Sequence, residues 1–226
     1  MVQKSIIIDF DHTIGYFNQL IFLINIIEKT YLMSLNEQQI HSLLDYFPLV
    51  FRPKLYDIFE LILLYEKDNQ LTFFILYTRN DQPHFVNSIV HYLEQKLKET
   101  CIFHHILFEP TKVKQIDTII PYIQDKQTHI LCFIDNTYFD YRDKRVQTKY
   151  IKSEHYMYEY NIQDIIAQFP FHLFQDVNDS LLTVYLQNQK KRKHKKKCML
   201  PYAMYELNSS FMIQSIRDFM QSQYVL

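Results

Sequence analysis

The run Ser5-Ile6-Ile7-Ile8-Asp9-Phe10-Asp11-His12-Thr13-Ile14-Gly15 decides how this chain reads. Three successive isoleucines have strand character, because β-branched side chains suit a pleated, buried surface. The run then breaks into two carboxylates. Gly15 is the single glycine of 226 residues and stands just past them. That position predicts a tight turn away from the strand end, of the kind glycine makes easily. If the backbone stays extended past Ile8, Asp9 and Asp11 share a face.

Working outward, three further apolar runs occupy 71–77, 102–108 and 130–134. They barely alternate, as strands covered on both faces do. Segments of helical spacing lie between the runs, at 20–33 and 37–46. Another begins at Pro53 and places Leu55, Ile58, Phe59, Ile62 and Leu63 on one face. Phe85, Ile89, Tyr92, Leu93 and Leu97 mark a fourth. Ile116, Ile119, Ile120 and Ile123 mark a fifth, with Thr111 as its N-cap and Pro121 as a kink or early end. Strands alternating with helices predict an α/β fold with a parallel, doubly wound sheet.

In such sheets the site lies beyond the carboxyl ends of the strands. Asp9 and Asp11 follow the first run and Thr78 the second. Lys112 and Lys114 follow the third, and Asp135 follows the fourth. Asp9 and Asp135 suit a hard divalent cation; Mg²⁺ takes oxygen ligands, keeps several waters and is often held by one or two carboxylates plus phosphate. A carboxylate can also act as nucleophile and form an aspartyl-phosphate. A hydroxyl and a lysine neutralise the phosphoryl charge. Asp11, two residues on, is placed to act as acid and then as base. Lys112 and Lys114 compete for one role.

These residues carry a resemblance. DFDHTI resembles the first motif of the haloacid dehalogenase superfamily, and Thr78 its second. Lys112 (or Lys114) resembles the third, and Asp135 with Asp140 the fourth, in the same order along 5–140. Phe51-Arg52-Pro53-Lys54-Leu55-Tyr56-Asp57-Ile58-Phe59 is similar to the RPGL segment of the phosphatases related to the nuclear LIM-interactor-interacting factor. That group includes the phosphatases of the RNA polymerase II C-terminal domain. Here Lys54 stands where those proteins have glycine, and His12 where Glu or Gly is commoner.

The resemblance implies a Rossmann-like three-layer sandwich with a central parallel sheet and a small helical insertion after the first strand, at about 16–50. It implies a Mg²⁺-dependent phosphatase acting on a phosphomonoester, with a phosphoprotein favoured. Asp9 is then nucleophile and metal ligand, and Asp11 the acid/base, ligating metal through its carbonyl. Thr78 and Lys112 (or Lys114) hold the phosphoryl group. Asp135 completes the metal site, and Asp140 stands behind it. The catalytic domain covers 1–170, and a helical extension covers 171–226.

Plainer readings stand beside these. Two aspartates after a strand also make a solvated turn. Thr78 alone reads as a cap. His104-His105 has no partner at ligand spacing and reads as core and surface. Cys132, inside a strand, reads as a small buried residue rather than a nucleophile.

Composition bounds the rest. The chain is 48% hydrophobic and 16% aromatic, ample for a packed core. Its richness in Ile, Phe, Tyr and Lys with so little Gly is that of an AT-rich genome, such as a large DNA virus or a protist. Cys101, Cys132 and Cys198 form no CxxC pair, which favours a reduced intracellular compartment, cytoplasm or nucleus. The charge-free stretch 13–27 is too short to span a bilayer, so no membrane partner is expected.

Charge is unevenly spread. Residues 189–226 carry 8 Lys+Arg against 2 Asp+Glu, and residues 1–188 carry 16 against 23. The basic residues concentrate in Lys190-Lys191-Arg192-Lys193-His194-Lys195-Lys196-Lys197. That run reads as a solvated linker, a nuclear localisation signal or a contact to nucleic-acid phosphates. The rivals to a protein phosphatase are therefore a nucleic-acid-end phosphatase using the basic run and a catalytically inactive binding protein of the same fold.

Overall fold

The computed structural model describes residues 2–32, 34–109, 113–123, 129–140, 143–175, 177–180, 182–184, 187 and 199–222. The strands are β1 (Gln3–Ile8), β2 (Phe73–Thr78), β3 (His105–Phe108), β4 (His129–Asp135) and β5 (Gln147–Lys152). The helices are α1 (Asn18–Tyr31), α2 (Glu37–Tyr46), α3 (Leu55–Lys67), α4 (Pro83–Leu97), α5 (Ile162–Gln168) and α6 (Tyr202–Gln221). The five strands form one sheet in the order β3-β2-β1-β4-β5, and every neighbouring pair is parallel. With helices flanking it, this is an α/β architecture compatible with a Rossmann-like three-layer sandwich.

β1 is the central strand, paired to β2 from Ser5 to Ile8 and to β4 from Gln3 to Ile8. Its apolar character follows from that place, since a central strand buries both faces. Ile7 joins Ile75, Tyr77, Leu131 and Phe133 on one face, where they pack with Ile119, Ile120 and Ile123. On the other face Phe59 of α3 meets Phe74 edge-on at 5.5 Å and Phe103 at 5.7 Å. Lys4 donates to the carbonyls of Phe219, Met220 and Ser222 at 3.0, 2.7 and 2.9 Å. It thereby satisfies carbonyls that the end of α6 leaves without helical partners.

Two expectations change. The segment marked by Ile116–Ile123 is not an α-helix in its described part but two 3₁₀ turns, Ile116–Thr118 and Ile120–Tyr122. Pro121 lies inside the second turn and has no N–H to continue a ladder; Thr111 lies outside the described residues. β5 was not expected at all, because its sequence, Gln147-Thr148-Lys149-Tyr150-Ile151-Lys152, contains no apolar run and buries only Ile151. In addition, α3 begins at Leu55 rather than Pro53. Lys54 serves as its N-cap in the left-handed conformation (φ 57°). That backbone region favours glycine, which is the residue the similar segment carries there.

The chain forms two compact units. One comprises Met1–Gly15, Arg52–Tyr156 and Pro201–Leu226, and holds the sheet. The other comprises Tyr16–Phe51 and Met157–Leu200. Within the second, Gln19 and Tyr160 exchange hydrogen bonds of 2.9 and 2.8 Å. α2 starts with a capping box in which Asn36 and Gln39 satisfy each other's backbone amides. Among the described residues, no helix is long and apolar enough to cross a membrane.

Candidate active site

Parallel pairing brings the strand ends level, and the first unit gathers the polar residues there. Asp9 still behaves as strand, its amide donating to Ile134 O at 2.9 Å. Its carboxylate is gripped from two sides: Oδ1 accepts from Lys114 Nζ at 2.5 Å, and Oδ2 from Thr13 Oγ1 at 3.1 Å. Lys114 also reaches Asp135 Oδ2 at 2.7 Å. The ammonium thus bridges two carboxylates from two strands, with its side chain 2% exposed. Burial works against the charge on Lys114, but Asp9 and Asp135 outweigh it and raise its pKa. Lys112 lies outside the described residues.

Asp135 ends β4 and is held in place by its neighbours. Thr137 N donates to its Oδ1 at 2.8 Å, and Tyr150 Oη to its carbonyl at 2.7 Å. Its pKa is raised by burial first and by the charge of Asp9 second, against the opposing pull of Lys114. Asp140 is exposed on the following loop. Behind the nucleophile candidate, the Thr13 hydroxyl accepts from Asn136 N at 3.1 Å and lies 3.3 Å from Ser153 Oγ. Thr13 and Ser153 are both fully buried.

Asp11 faces β2. Asn80 Nδ2 donates to both of its carboxylate oxygens at 3.2 and 3.1 Å. Burial, then the charge of Asp9, pushes its pKa up to about 6, while Asn80 pulls the other way. A carboxyl in that range holds a proton part of the time near neutrality, as an acid/base group must. Thr78 ends β2 fully buried, and its hydroxyl accepts from Asn80 N at 3.0 Å. The hydroxyl therefore shapes the turn that aims Asn80 at Asp11. Sequence reasoning passed over Asn80; its signal was its place two residues beyond a strand end already singled out.

The loop after β1 corrects the expectation placed on Gly15. Gly15 has no positive φ; the left-handed residue is His12, at φ 61°. A non-glycine there costs of the order of 1–3 kcal/mol and persists only when its surroundings dictate it. His12 N donates to Gly15 O at 2.7 Å, and His12 O accepts from Tyr156 N at 2.9 Å. Its Nδ1 donates to Tyr156 O at 2.9 Å, and its ring stacks on His155 at 3.5 Å. Arg52, 2% exposed, completes the hold by donating to the carbonyls of Thr13 (2.6 Å) and His12 (2.9 Å). Burial brings its pKa down to about 10, so it is charged throughout the neutral range. Cys132, fully enclosed in β4, is driven by burial up to about 12, which leaves it inert as a nucleophile.

Chemically, the edge offers one carboxylate fixed by a lysine and a hydroxyl, a second of raised pKa two residues away, and a third sharing the lysine. Among the described residues, no group of three or more His, Cys, Asp or Glu is arranged to hold a metal. Asp9 and Asp135 each turn one carboxylate oxygen toward the ammonium of Lys114. No protein-family model, no curated protein and no solved structure matches this chain.

Proposed function

We propose that the chain is a phosphatase of the haloacid dehalogenase type that hydrolyses phosphomonoesters through an aspartyl-phosphate on Asp9. The observation that carries this reading is the pairing of Asp9, locked by Lys114 and Thr13, with Asp11 at a raised pKa. Asp9 attacks phosphorus, the ester P–O bond breaks, and Asp11 gives its proton to the departing oxygen. Water then attacks the same phosphorus while Asp11 takes one of its protons. The bond from phosphorus to Asp9 breaks, releasing inorganic phosphate and restoring the Asp9 carboxylate and the protonated Asp11. Lys114 neutralises charge beside the nucleophile, in the manner phosphoryl transfer requires.

Asp9 and Asp135 fit a Mg²⁺ ion, which needs only one or two protein carboxylates beside water and phosphate. When bound, it would neutralise the charge of the transferred group. A phosphoprotein is the favoured substrate, since the segment 51–59 is similar to the RPGL segment of phosphatases that act on proteins. Asp9→Asn abolishes phosphate release from p-nitrophenyl phosphate while the circular dichroism spectrum is unchanged. Wild-type turnover by that variant refutes the mechanism. An inactive wild-type chain favours the non-catalytic binder instead.

The run Lys190-Lys191-Arg192-Lys193-His194-Lys195-Lys196-Lys197, which lies outside the described residues, supports one second reading, a phosphatase acting on nucleic-acid ends. Release of phosphate from an oligonucleotide that falls steeply with salt, beside a phosphopeptide that does not, favours it.

A further inference from the structure

We infer that Asn208, on the C-terminal helix, is a positioning residue for the loop that carries Asp9 and Asp11, acting through Arg52. The kinetic part of this inference rests on the phosphatase reading; the structural part does not.

The argument starts from the geometry of Arg52. Its guanidinium is a rigid planar fork, so fixing one edge fixes the other. Nε and Nη2 hold the carbonyls of Thr13 and His12, and Nη2 also bonds Glu154 O. Nη1 donates to Asn208 Oδ1 at 2.9 Å. The backbone amide of Arg52 meets Ile14 O at 2.9 Å. Arg52 thus touches three successive carbonyls, beginning one residue after Asp11. Every one of these partners belongs to a loop except Asn208, which sits on a 20-residue helix.

Asn208 Oδ1 also accepts from Glu154 N at 3.0 Å. That second bond anchors the loop after β5, which supplies Ser153 to Thr13, the His155 ring to His12, and both backbone groups of Tyr156 to His12. Both groups facing the amide oxygen are donors, so the oxygen must point toward them. One half-buried side chain is therefore the meeting point of the two loops that hold His12 left-handed. Loosen it, and the strain at His12 is free to relax, carrying the adjacent Asp11 with it.

α6 itself does not depend on Asn208. Tyr205, Met212, Ile216 and Phe219 are buried, Lys4 holds its far end, and the Tyr205 ring packs on Tyr156 at 4.9 Å. Asn208→Leu removes the acceptor while keeping the number and branching of side-chain heavy atoms, whereas Asn208→Asp keeps an oxygen facing Arg52.

The test uses the full chain, p-nitrophenyl phosphate turnover with Mg²⁺, and amide hydrogen exchange. Asn208→Leu lowers kcat by about 100-fold, the loss that follows a misplacement of about 1 Å in a reacting group. KM is unchanged, because an acid that acts in the transition state leaves ground-state binding intact. Asn208→Asp restores most of kcat. Exchange protection at His12, Thr13 and Ile14 falls in the Leu variant and returns in the Asp variant, while α6 stays protected in both. Wild-type kcat and protection in Asn208→Leu overturn the inference, as does an Asp variant no better than the Leu variant. If α6 loses protection in Asn208→Leu, Asn208→Ala is read in its place; loss along α6 in both overturns the inference, because the residue then holds the helix. If the wild-type chain has no turnover, the phosphatase reading fails and exchange at His12–Ile14 alone decides.

Discussion

Replacing Lys114 by methionine removes the cation that Asp9 and Asp135 share. The side chains concerned are 2%, 9% and 4% exposed, so the pair belongs to the buried class. Removing one partner of a buried ion pair costs about 3–5 kcal/mol, because the other is left buried with its charge uncompensated. Methionine nearly matches the lysine stem in length, so the cavity contribution is small. For a chain of this size each kcal/mol moves Tm by roughly 2–4 °C, giving a loss of about 10 °C at pH 8.

The loss depends on pH, and its sign is fixed. Without Lys114, Asp135 faces Asp9 with no cation between them, and its pKa, already raised by burial and by Asp9, rises further above the unfolded value of about 4. An acid whose folded pKa is raised costs nothing below its unfolded pKa. The penalty grows as pH rises between the two values and is complete above the folded one. The gap between wild type and Lys114→Met therefore narrows as pH falls from 8 to 5. Calorimetry in chelator measures it. An equal gap at both pH values, or a Tm loss under about 2 °C at pH 8, refutes the argument that Lys114 is held as a compensating charge. Adding millimolar Mg²⁺ raises Tm of the variant more than that of wild type, as two unneutralised carboxylates gain most from a cation.

Asn80 donates to the charged form of Asp11 and so lowers its pKa. Asn80→Leu raises it, keeping the acid protonated to higher pH. The descending limb of kcat/KM, near pH 6 in the wild type, moves upward, and a limb that stays put or moves down refutes the assignment. Lys4→Met leaves three carbonyls at the end of α6 without their charged donor and costs about 2 kcal/mol. Exchange protection falls first at Ile216–Ser222, and uniform loss over the sheet refutes a local role.

β1, β2 and β4 were legible in sequence because each is apolar on both faces, and the edge strand β3 because it lies inside the apolar run 102–108 although it buries only Leu107. β5 was not, since its residues 147–152 form no apolar run and it is held mainly by backbone pairing to β4. Helical spacing marked α1 to α4 for the same reason that it marks any half-buried helix. It failed at Ile116–Ile123, where the isoleucines are spaced to cover the sheet face from two 3₁₀ turns. Local spacing says which residues are apolar together, not which backbone brings them there.

The sequence by itself determined that Asp9, Asp11, Thr78 and Asp135 stand at strand ends, because the strand pattern and the polar residue after it are both local. Tertiary structure decided what those residues meet. It set Lys114 between two carboxylates, aimed Asn80 at Asp11, and made the Thr13 hydroxyl a support for Asp9. It also moved the left-handed turn from Gly15 to His12. Glycine marks where such a backbone is cheap, but carbonyl grips from Arg52 and Tyr156, far away in sequence, can hold a histidine there instead.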